Sequence, residues 1–385
     1  MHLVYLDNNA TTRIAPAVLE EMQAYLTDLF FNASSPCEAA LPAAHALTLA
    51  RQRVALLLGV TNPQQIIFTS GATESNNAAL FGVTHANPLR RHIITSSVEH
   101  ASLLAYCQRL ESEGYSITYL PVDPQGLIDP TLLEQALRPD TALVSIMLAN
   151  NETGVILPVG DYSRIFKRFD PAILLHTDAT QVAGKIPIDL DRKLSEVDLV
   201  SLSSHKMHGP KGVGALFLRE GTPWLPFIIG GQQERGQRGG TYNVGGIVGF
   251  GKACELWLEG KVEQILMQRL RDLLETFIQN HIADVRINGE GAPRLPNTLN
   301  ISFRNIAGES LIQALGQVGI CASTGAACSS GGDEPSHVLR SMRVPHDFIH
   351  GSIRFSFSRD NTKEECEYAC RELQTAVERL RQLNP

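Results

Sequence analysis

Two short runs, ALVSIML (142–148) and AILLHTD (172–178), are apolar on both of their alternations, and this constrains the fold more than any other feature of the chain. A strand with one face in water alternates apolar and polar side chains. A strand that is apolar throughout has to be covered on both faces, which helices on either side of a mostly parallel sheet achieve. Strand-length apolar runs at Gln65–Ser70, His92–Ser96, Ser116–Leu120, Ala142–Leu148, Ile173–Asp178, Asp198–Ser203 and Gly214–Leu218 alternate with helical patterns. The expectation is an α/β fold with its functional groups gathered at strand C-termini.

After the glycine-rich tract GGIVGFG, residues Val262, Ile265, Leu266, Leu270, Leu273, Leu274, Phe277 and Ile278 follow helical spacing, which sets a domain junction there. The expected division is a large domain over 15–258 and a smaller α/β domain built from 1–14 and 259–385. Thr362 and Glu365 form a capping box, followed by Cys366, Ala369, Cys370, Leu373, Val377 and Leu380 on one helical face, so a helix is expected to close the small domain.

With 33 basic and 40 acidic residues the net charge is −7, and no Lys/Arg-rich run is present. Direct nucleic-acid or membrane-surface binding is therefore not expected. The start MHLVYLDNNATT lacks the basic and apolar regions of an export signal, and no run approaches 18 apolar residues. Seven scattered cysteines suit free thiols in a reducing compartment, and a cytoplasmic location is expected.

In SLSSHKMHGPKGVGALFL an apolar strand ends at Ser203, Ser204, His205 and Lys206. Desolvation at such a place lowers a lysine's pKa and frees its amine for Schiff-base chemistry; on position alone, a solvated turn lysine is the commoner reading. Asp178 ends the strand of AILLHTDATQ, where a carboxylate can pair with a protonated pyridine nitrogen or cap a helix. In QIIFTSGATESNNAAL the strand, glycine turn and helix present Ala72 and Thr73 as an anion cradle, a pattern that an ordinary capped helix shares. Cys328 sits in STGAACSSGGDEPSHVLR with almost no apolar side chains to bury it, unlike Cys366 and Cys370.

The ordered segments YLDNNATT, TSGATESNN, SVEH, NNETG, HTDATQ, SSHKMHGPKG, GGQQERGQRGGT, GAACSSG and SIRFSFSR span Tyr5 to Arg359. Together they resemble the cysteine desulfurases of the NifS/IscS type, a branch of the fold-type-I pyridoxal 5'-phosphate (PLP) enzymes in the class-V aminotransferase family. The resemblance implies that Lys206 carries PLP, Asp178 pairs with the pyridine nitrogen, Gln181 bonds the ring hydroxyl, and His100 stacks on the ring and moves protons. It implies that Ala72, Thr73, Ser203 and His205 hold the phosphate, joined by Thr241 from the second subunit of a homodimer. Asn151 then lies beside cofactor and substrate, and Arg354 grips the substrate carboxylate. Cys328 becomes the nucleophile that takes sulfur from L-cysteine, leaving L-alanine and a persulfide for a sulfur-acceptor protein of iron–sulfur assembly, tRNA thiolation or DNA phosphorothioation. No metal site is expected beyond Cys328 as a transient iron–sulfur ligand.

Two positions depart from the family pattern, Gly239 and Ala326, where serine is usual. The nearest rival activities are selenocysteine lyase and other fold-type-I reactions, an aminotransferase among them, which needs no such thiol. A non-enzymatic sulfur or iron–sulfur carrier using Cys321 and Cys328 is disfavoured, because there is no C-x-x-C pair.

Overall fold

The computed structural model describes residues 3–260, 263–325 and 335–383. Its strands in chain order are β1 (Val4–Tyr5), β2 (Ile66–Thr69), β3 (His92–Ser96), β4 (Ser116–Leu120), β5 (Thr141–Ser145), β6 (Leu174–Asp178), β7 (Leu199–Ser203), β8 (Gly214–Leu218), β9 (Val285–Ile287), β10 (Thr298–Phe303), β11 (Ile320–Cys321) and β12 (Ser352–Ser356). Seven of them form one sheet in the order β2-β8-β7-β6-β5-β3-β4. Neighbours from β7 to β4 run parallel, and only β8 opposes the strands on either side of it.

Consecutive residues of these strands enter two different cores. Ile94, Val144, Leu175, Val200 and Phe217 join the larger apolar cluster, whereas Ile93, Leu143, Leu174, Leu199 and Leu216 join a second cluster on the opposite face. That period-two division is why the strands are apolar throughout. Each such side chain, taken fully from water, contributes about 1.5–3 kcal/mol. The helices Ala72–Ala86 and Ala101–Ser112 cover the second face, through Ala79, Leu80, Val83, Leu103, Cys107 and Leu110.

A third cluster joins Val4 and Leu6 to Leu270, Leu274, Ile278, Leu299, Ile301, Phe303, Ile353, Phe355, Cys366 and Cys370. It lies around the antiparallel sheet β12-β10-β9 and the helices Glu263–His281 and Lys363–Leu383. The reciprocal bonds Thr362 N to Glu365 Oε2 and Glu365 N to Thr362 Oγ1, both 3.2 Å, open that last helix as a capping box. The boundary between clusters does not follow the chain strictly: Leu295, Val338, Leu339 and Met342 pack into the larger core. Among the described residues, no helix is long and apolar enough to cross a membrane.

The N-terminal segment ties these parts together. β1 pairs with β11 in parallel, Asp7 bridges to Ser356, and Thr12 N donates to His205 O at 2.9 Å.

Candidate active site

A cavity of about 650 Å3 opens at the C-terminal ends of β2, β6 and β7. Ten residues singled out in the sequence line it: Ala72, Thr73, His100, Asn151, Asp178, Gln181, Ser203, His205, Lys206 and Arg354. Thr241 does not; within its own chain it lines an adjoining cavity of about 200 Å3, which shares Ser70 and Gly212 with the larger one. Cys328 and Ala326 lie in 326–334, outside the described residues. One described flank of that stretch stands at the cavity wall, and the other is bonded to the turn that carries Asn151. Gly325 lines the cavity, and Ser336 Oγ donates to Glu152 Oε2 at 2.5 Å, in the turn that carries Asn151.

Lys206 ends the one-turn 3-10 helix Ser204–Lys206 that follows β7, and its Nζ donates to Asn9 O at 2.6 Å and Ala10 O at 2.8 Å. Asp178 ends β6; its Oδ1 accepts from Thr180 N at 2.9 Å and its Oδ2 from Asn76 Nδ2 at 2.8 Å. The carboxylate caps a turn, not the helix that the sequence also allowed, and it faces the cavity. Asn76 also donates to Ser102 Oγ, which is 2.8 Å from His100 Nδ1. Because the backbone N–H of Ser102 donates to the same Nδ1, at 3.1 Å, the neutral ring carries its proton on Nε2. Burial, and then Lys206 and His337, hold the His100 pKa below its ordinary 6.5, against the pull of Asp178. Burial also takes His205 down to about 4, with Lys206, Lys211 and Lys185 acting the same way. Both imidazoles are neutral at pH 7.

At the other end of the cavity, the helix Ala72–Ala86 begins after Gly71, whose φ of 152° is one that side-chain-bearing residues rarely adopt. Backbone comes close here: a Cβ on Gly214 would fall 2.7 Å from Gly71 Cα. The first N–H groups of a helix have no carbonyl partners within it, so Ala72 and Thr73 present donors to an anion beside Ser203 and His205. Glu74 is held by Arg238 through bonds of 2.9 and 3.1 Å, which fixes the segment leading to Thr241 against this helix start. At Gly239 a Cβ would fall 2.5 Å from Gly230 Cα, so the serine usual in the family needs that turn to open.

Arg354, 4% exposed, donates from Nη2 to Asp7 Oδ1 at 2.6 Å and from Nη1 to Asn151 O at 3.1 Å, and its Nε has no partner among the described residues. Thr180 Oγ1 is likewise buried without a partner. Beside His100, Glu99 is fully buried; Ser96 Oγ and Met147 N donate to its Oε1, Oε2 has no partner among the described residues, and burial pushes its pKa up to about 8. Sequence reasoning missed Asn9, which lines the cavity, Asn76, Asp7 and Lys185, which bond residues that line it, and Glu99 beside His100. The partners of Asn9, Asn76 and Asp7 lie tens to hundreds of residues away, whereas Lys185 meets Gln181 four residues back. No cluster of metal-ligating side chains occurs among the described residues.

The family profile described as aminotransferase class-V matches residues 4–368. The chain belongs to this family. A cysteine desulfurase of Trichormus azollae is 46% identical over all of this chain and 95% of its own length. A solved structure titled NifS-like protein superposes with a TM-score of 0.91 at 41% identity, covering 98% of this chain and all of the other. Another, titled SspA in complex with cysteine, gives a TM-score of 0.82 at 35% identity over 93% of this chain and 99% of the other. The family is therefore evident both in sequence and in the α/β fold, with its seven-stranded sheet.

The donor set fits PLP, the cofactor of this family. The cavity offers amide donors and hydroxyls at the helix start for a phosphate, a buried carboxylate for a pyridinium, an imidazole, and a lysine amine.

Proposed function

We infer that the protein is a PLP-dependent cysteine desulfurase: L-cysteine enters, L-alanine leaves, and the sulfur is held as a persulfide on Cys328. The observation that carries this reading is one cavity holding Lys206, Asp178, His100 and Arg354 in a chain that matches a cysteine desulfurase along its whole length. When bound, PLP supplies a carbonyl carbon for the substrate amine and a ring that draws electrons from Cα.

This chain's residues do the rest. Asp178, braced by Asn76, keeps the pyridine nitrogen protonated. Gln181 donates to the ring oxygen, and the Ala72–Thr73 helix start with Ser203 and His205 holds the phosphate. Thr241 joins them from a second copy in a homodimer. Arg354, oriented by Asp7, and Asn151 receive the substrate carboxylate. Lys206 Nζ, once free of its carbonyl partners, takes the Cα proton and returns it; His100 faces the same space with Nε2–H. The Cys328 thiolate attacks the substrate sulfur: an S–S bond forms, the Cβ–S bond breaks with its electron pair passing to carbon, and that carbon takes a proton to become alanine. A thiolate of an acceptor protein then attacks the outer sulfur of the persulfide, a new S–S bond forms, and the Cys328 thiolate leaves. We place this chemistry in the cytoplasm and divide the chain into a PLP-binding domain over 15–258 and a cysteine-bearing domain over 1–14 and 259–385.

The test assays alanine, persulfide and visible cofactor absorbance after L-cysteine is added under a reductant. Cys328→Ser is expected to keep the absorbance and lose persulfide transfer, and Lys206→Ala to lose normal absorbance and turnover. Alanine release at wild-type rate from Cys328→Ser would refute the assignment of the thiol.

A further inference from the structure

Lys185 is 3% exposed, and the chemistry above leaves it without a task. A lysine is rarely buried, because its ammonium is costly to desolvate. It lies four residues after Gln181, on a turn pressed against the residue that follows Lys206: a Cβ on Gly184 would come 2.4 Å from Met207 Cβ. Its Nζ donates to Gln181 Oε1 at 2.7 Å. At the other end of the same amide, Gln181 Nε2 donates to Asn9 O at 3.0 Å, the carbonyl that also accepts from Lys206.

These contacts remove an ambiguity that every glutamine carries. An amide can turn over, exchanging its oxygen and nitrogen, unless its neighbours distinguish the two. Lysine only donates and a backbone carbonyl only accepts, so both neighbours demand one orientation, with the oxygen toward Lys185 and the NH2 toward Asn9. One N–H of Nε2 is used by Asn9, and the other is left for the cavity that Gln181 lines.

We propose that Lys185 is a positioning residue that locks the Gln181 amide with its donor side toward the cavity, so that the site presents an N–H to the ring oxygen of the cofactor. The assignment rests on PLP occupying this cavity. The lysine demands this orientation as the ammonium, which only donates, while the Asn9 carbonyl demands it whatever the charge of Lys185. Burial first, then Lys206 and Arg354, draw the Lys185 pKa well below its ordinary value.

The test strips full-length protein of cofactor and titrates PLP back into wild type, Lys185→Met, Gln181→Ala and the double variant. Dissociation constant, the pH midpoint of the cofactor absorbance and the melting temperature of the stripped protein are read for each. Losing one hydrogen bond to a charged acceptor should weaken PLP by about tenfold or more in Lys185→Met and shift the pH midpoint. The double variant should be no worse than Gln181→Ala, because the lysine acts through that amide. Effects that add in full would overturn the proposal, as would a Lys185→Met protein that melts lower yet binds PLP with unchanged affinity and absorbance. If Lys185→Met does not fold, Gln181→Glu keeps the lysine and replaces the cavity donor by an acceptor; PLP affinity equal to wild type would then overturn it. If wild type itself takes up no PLP, the functional reading falls and this proposal with it; if only Lys185→Met behaves as wild type, the functional reading stands.

Discussion

Replacing Glu99 by Gln is expected to alter how stability responds to pH, by an amount the structure allows one to work out. The Glu99 side chain is fully buried, with two donors on Oε1, none on Oε2 among the described residues, and a pKa of about 8 in place of 4.5. Between those values the folded chain holds a proton that the unfolded chain has released. The stability this group lends is present in full below 4.5 and is lost as pH rises toward 8. The slope is ~1.4 kcal/mol per pH unit for one proton. Glutamine keeps the acceptor that Ser96 and Met147 use and adds unpartnered N–H groups, a penalty of about 1–3 kcal/mol that does not vary with pH. Wherever the two proteins start, the variant must therefore gain on wild type as pH rises. For 385 residues the unfolding entropy is ~0.8 kcal/mol/K, so the gap in melting temperature should grow by about 2 °C per pH unit between about pH 5 and 8. Scanning calorimetry of both proteins at one scan rate and saturating PLP measures it. A gap that stays flat across that range would refute the neutral, buried Glu99.

Three further outcomes can be checked directly. Arg354→Lys, which replaces a planar fork by a point charge between Asp7 and Asn151, should keep cofactor absorbance and lower kcat/KM for L-cysteine by about tenfold to a hundredfold, read from alanine release. Glu234→Ala leaves Arg51, paired to it at 2.6 and 2.7 Å, buried without its partner and takes an acceptor from Phe68 N; a loss of about 3–5 kcal/mol is expected in urea unfolding. Gly82→Ala sets a Cβ 1.9 Å from Trp224 Nε1, so about 1–3 kcal/mol of stability should be lost, with a change in the emission of one of the chain's two tryptophans.

The sheet was legible because its pattern is local. β3, β4 and β8 fall where the apolar runs place them. The run Ala142–Leu148 leaves the ladder after Ser145, although Ile146 N and Leu148 N still bond to His176 O and Asp178 O; the chain stays extended there but begins to form the cavity wall. β10 gave a weaker signal because its second face is polar and buried: Asn288 Nδ2 bonds Asn300 Oδ1 at 2.7 Å and Ser302 Oγ at 2.8 Å, so hydrogen bonds replace the apolar pattern. In the site, the places of Lys206 and Asp178 after apolar strands were legible, while the roles expected of them came from the family resemblance and not from position. Asn9 and Asn76 were not legible, because what they do depends on partners brought close by the fold: Asn76 meets Asp178 across 102 residues, and Asn9 meets Lys206 across 197. Lys185 was not either, although Gln181 is only four residues away, because its burial is set by the fold.

The order in which the chain is made bears on when the site can exist. The carbonyls of Asn9 and Ala10 that hold the lysine are translated some 300 residues or more before β11 at Ile320–Cys321 and Ser356, to which their segment is tied. A ribosome-bound chain that has completed the large sheet through β8 can already hold this segment by Thr12 N to His205 O and Gln181 Nε2 to Asn9 O, but it lacks the ties to β11 and Ser356. The segment is therefore fastened in two stages, the second a closure spanning some 350 residues. Chains cut short before Ser356 would keep the first set of ties and lose the second.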